Sequence, residues 1–238
     1  MVTHLLLKKV SSRLRAPKPK LYHTVRHTCA AVQVDTFSQP YESNTFWLTA
    51  KQNAVIDLGS IKTAKQLPLH TACCIILTHV HYDHTAALGQ LRLPEKTIVM
   101  MHEADAHAIG TASSAASFFG ARAPKFRVDM LLADGSEIEL GDSTLTVIHT
   151  PGHTSGSICL YEAQSKSLFS GDTVFPYGGI GRSDLPGGNP HDLTRSVSRL
   201  AKLDVRIMYP GHGEVTSNNV NEQIKRSLEF AKATERQP

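Results

Sequence analysis

Four times along this chain an apolar run of strand length stops at a turn and delivers a histidine or an aspartate. "CCIIL" leads into "THVHYDH", "STLTVIHT" into "PGH", "LFSG" into Asp172, and "IMYPG" into His212. Imidazoles and carboxylates behind apolar strands are costly to bury unless something pairs with them. The fold therefore has to bring these strand ends together around a shared partner.

The spacing inside "HVHYDH" narrows the partner. In extended chain, residues i and i+2 face the same side. His79, His81 and Asp83 can then converge, while His84 faces a neighbouring position. This is not the helical H-E-x-x-H arrangement, whose histidines are four residues apart. A loop that offers ligands in two directions suits two adjacent metal ions, with His153, Asp172 and His212 completing the set from the other strand ends. Imidazole and carboxylate ligands suit Zn²⁺, Fe²⁺ or Mn²⁺, and the set holds no thiolate that would demand zinc. Two cations on one water lower its pKa toward about 7. The resulting hydroxide can attack an acyl carbonyl, with Asp83 accepting its hydrogen bond and orienting it.

The order of elements predicts an α/β fold of four layers. Strands are expected at "CAAVQVDTF", "TFWLTA", "NAVIDLG", "ACCIIL" and "TIVMMH", then at "SEIEL", "STLTVIHT", "SICLYE", "SLFSG" and "VRIMYP". Helices are expected from "HTAALGQL", at "EADAHAI", at "NPHDLTRSVSRLAKL" with Asn189 as cap and Pro190 at its first position, and over 218–235. Residues 111–128 are small, polar and irregular, a flap or surface excursion. Two runs of strands, each followed by helices, imply two sheets with helices packed outside.

Charge is uneven. Residues 1–34 hold Lys8, Lys9, Arg13, Arg15, Lys18, Lys20 and Arg26 and no acid, which leaves 18 basic against 21 acidic side chains beyond them. That body is a poor nucleic-acid surface, since such binding rests on clustered Lys and Arg. Residues 1–28 read as a basic N-terminal extension with a mitochondrial presequence's composition, broken by Pro17 and Pro19, and 29–238 as the catalytic domain. Mitochondrion or cytoplasm is the expected location. No apolar stretch approaches the roughly 20 residues of a membrane span. Cys29, Cys73, Cys74 and Cys159 have no C-x-x-C spacing and read as inert thiols.

Taken together and in order, His79, His81, Asp83, His84, His153, Asp172 and His212 resemble the metal-binding pattern of the metallo-β-lactamase superfamily. The likeness spans almost everything from residue 29 onward. It implies an αβ/βα sandwich and two divalent metal ions, zinc first, with iron or manganese as alternatives. His79, His81 and His153 would hold one metal, Asp83, His84 and His212 the other, and Asp172 would bridge them. Because β-lactamases of the superfamily lack that bridging aspartate, the resemblance argues against antibiotic hydrolysis.

"PGHTSGS", "SGDTVF", "GGIGRSDLPGG" and "YPGHGE" look like the glyoxalase II (hydroxyacylglutathione hydrolase) branch. The implied substrate is a small thioester such as S-D-lactoylglutathione, attacked by metal-bound hydroxide. Arg182 takes the position of a substrate-binding basic residue and can pair with a substrate carboxylate, or else with Asp184 within its own loop. Two departures concern glutathione recognition: Asp184 stands where that branch has a tyrosine, and only 26 residues follow His212, too few for its helical C-terminal domain. The rival reading is a persulfide dioxygenase of the same superfamily, with one iron on His79, His153 and Asp172. Its final histidine usually lies in P-A-H-D-Y, whereas this chain has "PGHGE". A non-catalytic module would be expected to lack a ligand, and none is missing. His149 can fix the tautomer of a ligand. Tyr82 and Tyr177 carry no assignment.

Overall fold

A computed structural model of the chain describes residues 27–29, 32–38 and 42–235; residues 1–26 of the presequence-like segment lie outside them. The first seven strands are β1 (His27–Cys29), β2 (Val32–Phe37), β3 (Thr45–Thr49), β4 (Asn53–Ile56), β5 (Ala72–Ile76), β6 (Ile98–His102) and β7 (Met130–Leu132). They form one sheet in chain order, antiparallel through β4 and parallel from β4 to β7. β8 (Glu137–Glu139), β9 (Thr144–His149), β10 (Ile158–Glu162) and β11 (Ser167–Gly171) begin a second sheet. A hairpin of β12 (Val174–Phe175) and β13 (Gly179–Ile180) follows, and β14 (Ile207–Pro210) then joins β11 in parallel.

Alternation along the strands separates three apolar layers. Cys74 and Ile76 of β5 face the second sheet, while Ile75 faces outward, each against its own cluster. Between the sheets, Phe46, Phe169 and Tyr209 pack ring on ring, with centroids 4.6–5.5 Å apart. Burial of each such ring contributes about 2–3 kcal/mol. Outside the first sheet, Trp47, Val55, Ile75 and Leu77 pack against Ala64, Leu67 and Leu88. Outside the second, Ile148, Cys159, Leu168 and Met208 receive α4 (Pro190–Leu200) and α5 (Val220–Glu235). Asn189 Oδ1 accepts from the Asp192 amide at 3.1 Å, and Pro190 opens α4 as its sequence predicts. The expected four-layer αβ/βα sandwich is the observed one.

The helices over the first sheet are shorter than expected: single turns α1 (Ile61–Ala64), α2 (Tyr82–Thr85) and α3 (Glu103–Ala106). The helix placed at "HTAALGQL" is instead α2, which starts two residues earlier and gives way to turns. Within 111–128, two 3₁₀ turns form at Ala112–Ser114 and Ala116–Phe119. β7, α1 and the β12–β13 hairpin had no counterpart among the expected elements. Cys73, Cys74 and Cys159 are free, Cys74 and Cys159 are buried, and burial pushes the Cys159 thiol up to about 11.

Candidate metal centre

β4, β5, β9, β11 and β14 all end at one rim of the sandwich. β4 and β5 run parallel, as do β11 and β14, and β9 shares their sheet's sense through antiparallel β10. The Ile158 amide donates to the Thr78 carbonyl at 2.9 Å and the Asn44 amide to the Gly211 carbonyl at 2.7 Å, stitching the sheets there. The seven sequence-predicted residues surround this rim.

The extended alternation expected for "HVHYDH" stops at His81. From Tyr82 the chain turns into α2, closed by the Ala86 amide on the Tyr82 carbonyl at 2.7 Å. Asp83 therefore leaves the loop in a helical direction and groups with His84 and His212. Two groupings with mutually close ligand atoms result: His79, His81 and His153 form one, and Asp83, His84 and His212 another. A third, His79, His84 and Asp172, links them. Asp172 Oδ1 lies 3.3 Å from His84 Nε2, and Oδ2 lies 3.5 Å from His153 Nε2 and 3.4 Å from His212 Nε2. Close approach is permitted by Gly211, where a Cβ would come within 2.1 Å of Asp172 Oδ1.

The far nitrogens of three histidines are committed. His84 Nδ1 sits 2.8 Å from Asp57 Oδ2, and His153 Nδ1 donates to the Arg182 carbonyl at 2.6 Å. Thr78 Oγ1 gives its one proton to Asp57 Oδ2 at 2.7 Å, so at 3.1 Å it accepts from His79 Nδ1. Each ring thus turns Nε2 toward the cluster. The Nε2 atoms of His79, His81, His84 and His153, with Asp172 Oδ1, are buried and have no hydrogen-bond partner. Buried polar atoms are seldom left so, and five gathered in these adjoining groupings fit divalent cations, the group that imidazole and carboxylate donors hold.

Electrostatics divide the cluster. Burial and the neighbouring imidazoles hold His79 well below its ordinary value and His81 down to about 3. Burial also opposes charge on His84, but Asp57, Asp172 and Asp83 outweigh it and raise that imidazole well above the usual range. His212, against the same burial, is lifted by Asp172 and Asp83 to about 9. Asp83 and Asp172 are depressed despite burial by His84 and His212. The Asp83–His84–His212 side is thus a negatively charged cradle that takes up positive charge, as protons or as a cation.

Residues that spacing did not disclose support this cluster. Asp57, at φ +55°, holds the Thr78 amide at 2.8 Å as well as His84 and the Thr78 hydroxyl. Its left-handed backbone costs on the order of 1–3 kcal/mol, which those bonds offset. Asp105, fully buried, accepts from the Val80 amide at 2.8 Å, the Gly156 amide at 2.6 Å and the Thr154 hydroxyl at 2.7 Å. It ties the His79–His81 loop to the His153 loop. Neither aspartate carries a signal of its own in the sequence: Asp57 reads as a turn residue after the apolar strand in "NAVIDLG", and Asp105 as one carboxylate of a short helix. His149, expected as a tautomer-fixing group, instead stacks on His102 at 3.9 Å and bonds the Ser155 carbonyl. Arg182 donates two hydrogen bonds to the Asp184 carboxylate, at 2.8 and 2.7 Å, and its guanidinium lies 5.5 Å from the centre of the Phe118 ring.

Access is one-sided. His79, His81, His84 and His153 are at most 4% exposed, while His212 is 37% exposed. No helix among the described residues is long and apolar enough to cross a membrane.

A two-sheet α/β sandwich with histidines and aspartates gathered at one rim defines a class of rim-site protein. The chain belongs to the metallo-beta-lactamase superfamily, whose family model matches residues 39–212. It is 35% identical over 189 residues to the "Probable metallo-hydrolase MJ0888" of Methanocaldococcus jannaschii, covering 74% of this chain and 89% of that protein. It is 33% identical over 213 residues to the human "Acyl-coenzyme A thioesterase MBLAC2", covering 72% and 75%. Among solved structures, TTHA1623 in a di-iron-bound form superposes with a TM-score of 0.65 at 30% identity, covering 81% of this chain and 94% of that one. The BLEG-1 B3 metallo-beta-lactamase does so at 0.66 and 29%, covering 80% and 93%.

Proposed function

We propose that this protein is a binuclear metal-dependent hydrolase of thioesters. The observation that carries the reading is the pair of adjacent donor groups, His79–His81–His153 and Asp83–His84–His212, with Asp172 between them and four imidazole Nε2 atoms without a partner. The relatives named a metallo-hydrolase and an acyl-coenzyme A thioesterase support hydrolysis and a thioester substrate.

His79, His81 and His153 would hold one divalent cation, Asp83, His84 and His212 a second, and Asp172 would contact both. Zinc is the first choice, with iron supported by the di-iron-bound neighbour. Bound cations supply Lewis-acid polarisation of the thioester carbonyl and lower the pKa of water toward about 7. Asp83, whose Oδ2 stands 3.0 Å from His212 Nε2 at the open side, accepts the hydrogen bond of the attacking water and orients it. The Arg182 carbonyl, Thr78 and Asp57 fix the imidazoles behind it. No serine or cysteine nucleophile is needed. S-D-lactoylglutathione fits this chemistry, although a glutathione carboxylate would have to displace Asp184 from the Arg182 guanidinium.

A parallel assay tests the reading: cleavage of glutathione and coenzyme A thioesters, oxygen uptake with glutathione persulfide, and β-lactam hydrolysis, each with metals quantified. Thioester cleavage lost in both His79→Ala and Asp172→Asn, with circular dichroism unchanged, is the expected result. Persulfide-dependent oxygen uptake with one iron per chain would replace it by a dioxygenase. β-Lactam turnover without thioester cleavage would equally overturn it.

A further inference from the structure

The flap over residues 111–120 presents two aromatic rings to solvent beside the rim: Phe118 is 64% and Phe119 46% exposed. They are adjacent, and both reach residues that flank the cluster. The Phe119 ring lies 5.4 Å from the Tyr82 ring, and Tyr82 separates His81 from Asp83. The Phe118 ring carries the Arg182 guanidinium, and the Arg182 carbonyl receives His153 Nδ1. Together they form an aromatic surface continuous with the loops on both sides of the cluster.

This surface is held in place from beneath. Ser114, Ala115 and Ala116 are buried, Ser114 Oγ donates to the Thr111 carbonyl at 2.9 Å, and the Thr111 hydroxyl caps the first 3₁₀ turn. Ala115 and Gly120, both left-handed, bracket the turn that carries the two phenylalanines. An aromatic pair fixed on an anchored turn loses little entropy when something apolar covers it. The Arg182 guanidinium over Phe118 is already paired with Asp184, so at that point the surface offers apolar contact.

We infer that Phe118 and Phe119, with Tyr82, form the wall that receives the acyl chain of the thioester, and that they set a preference for extended apolar acyl groups over small hydroxyacyl ones. The inference rests on the proposed thioester hydrolysis. The occupant is the acyl chain because the wall is apolar and adjoins Tyr82, between two residues of the cluster, whereas the thiol halves of glutathione and coenzyme A thioesters are polar and charged. The phenylalanines act on specificity and take no part in the chemistry.

The test uses the full-length metal-loaded protein and thioesters of one thiol carrying acetyl, butyryl, hexanoyl and octanoyl groups. Each methylene that the wall covers should raise kcat/KM by about fourfold. In Phe118→Ala/Phe119→Ala that rise should flatten, with metal content and circular dichroism unchanged. Binding of the matching S-alkyl thioethers, followed by calorimetry, should show the same chain-length dependence and the same loss. Should no thioester be cleaved while thioether binding still grows with chain length and flattens in the double variant, the wall stands and the hydrolase reading falls. A flat series in the unaltered protein, or an equal slope in the variant, overturns the inference. So does a dimer in gel filtration that the double variant dissociates, which would give these rings to a second copy of the chain.

Discussion

Asp57 Oδ2 stands 2.8 Å from His84 Nδ1, and neither side chain is more than 1% exposed. The carboxylate turns the opposite nitrogen of His84 toward Asp172 and Asp83, and also receives the Thr78 hydroxyl that braces His79. One buried aspartate therefore sets two imidazoles at the join between the donor groups.

Replacing Asp57 should weaken metal binding without touching a metal. Asp57→Asn keeps the volume and removes the charge that raises His84. Metal affinity measured by chelator competition should fall about 10- to 100-fold. Unchanged affinity would remove Asp57 from the support of the site.

Asp105 is expected to affect stability more than chemistry. Asp105→Ala strips the Val80 and Gly156 amides and the Thr154 hydroxyl of their buried acceptor. At about 1–3 kcal/mol for each unsatisfied group, the loss should reach about 3–5 kcal/mol in denaturant unfolding. A loss under about 1 kcal/mol would mean that water or a relaxed loop replaces the carboxylate.

Metal binding should release protons near neutral pH. In the cation-free protein the imidazole of His212 is raised to about 9 and that of His84 well above its ordinary value, so both are protonated at pH 7. A cation must displace those protons, and apparent affinity should rise with pH up to about 9. The stability that His212 confers on the cation-free protein has the opposite sense. A raised pKa stabilises fully below the unfolded value near 6.5 and is lost as pH rises through about 9. Proton release on titrating zinc into weakly buffered protein checks the first statement, and unfolding of chelated protein across pH checks the second. Proton uptake or none on zinc addition would contradict it.

The sequence made the layers and the strand ends legible because alternation and apolar runs obey short periods, as in β5 and β9. It concealed what depends on distance in the chain. Asp57 and Asp105 are single carboxylates in "DLG" and "EADA", indistinguishable from turn and surface-helix residues until the sheets bring Thr78, Val80 and Gly156 to them. The turn from extended chain to α2 at Tyr82 was likewise hidden, since ligand spacing reads the same in either conformation. It is this turn that puts Asp83 with His212 rather than with His79 and His81. Tyr82 looked like an ordinary surface tyrosine because its partner, Phe119, lies in a flap with no periodic signal.

The most direct test of the paired site is the metal content of the purified full-length chain after equilibration with zinc, measured by elemental analysis alongside protein concentration. The account predicts close to two ions per chain, falling to one or fewer in Asp172→Asn. A firm stoichiometry of one in the unaltered protein, unchanged by that substitution, would contradict it.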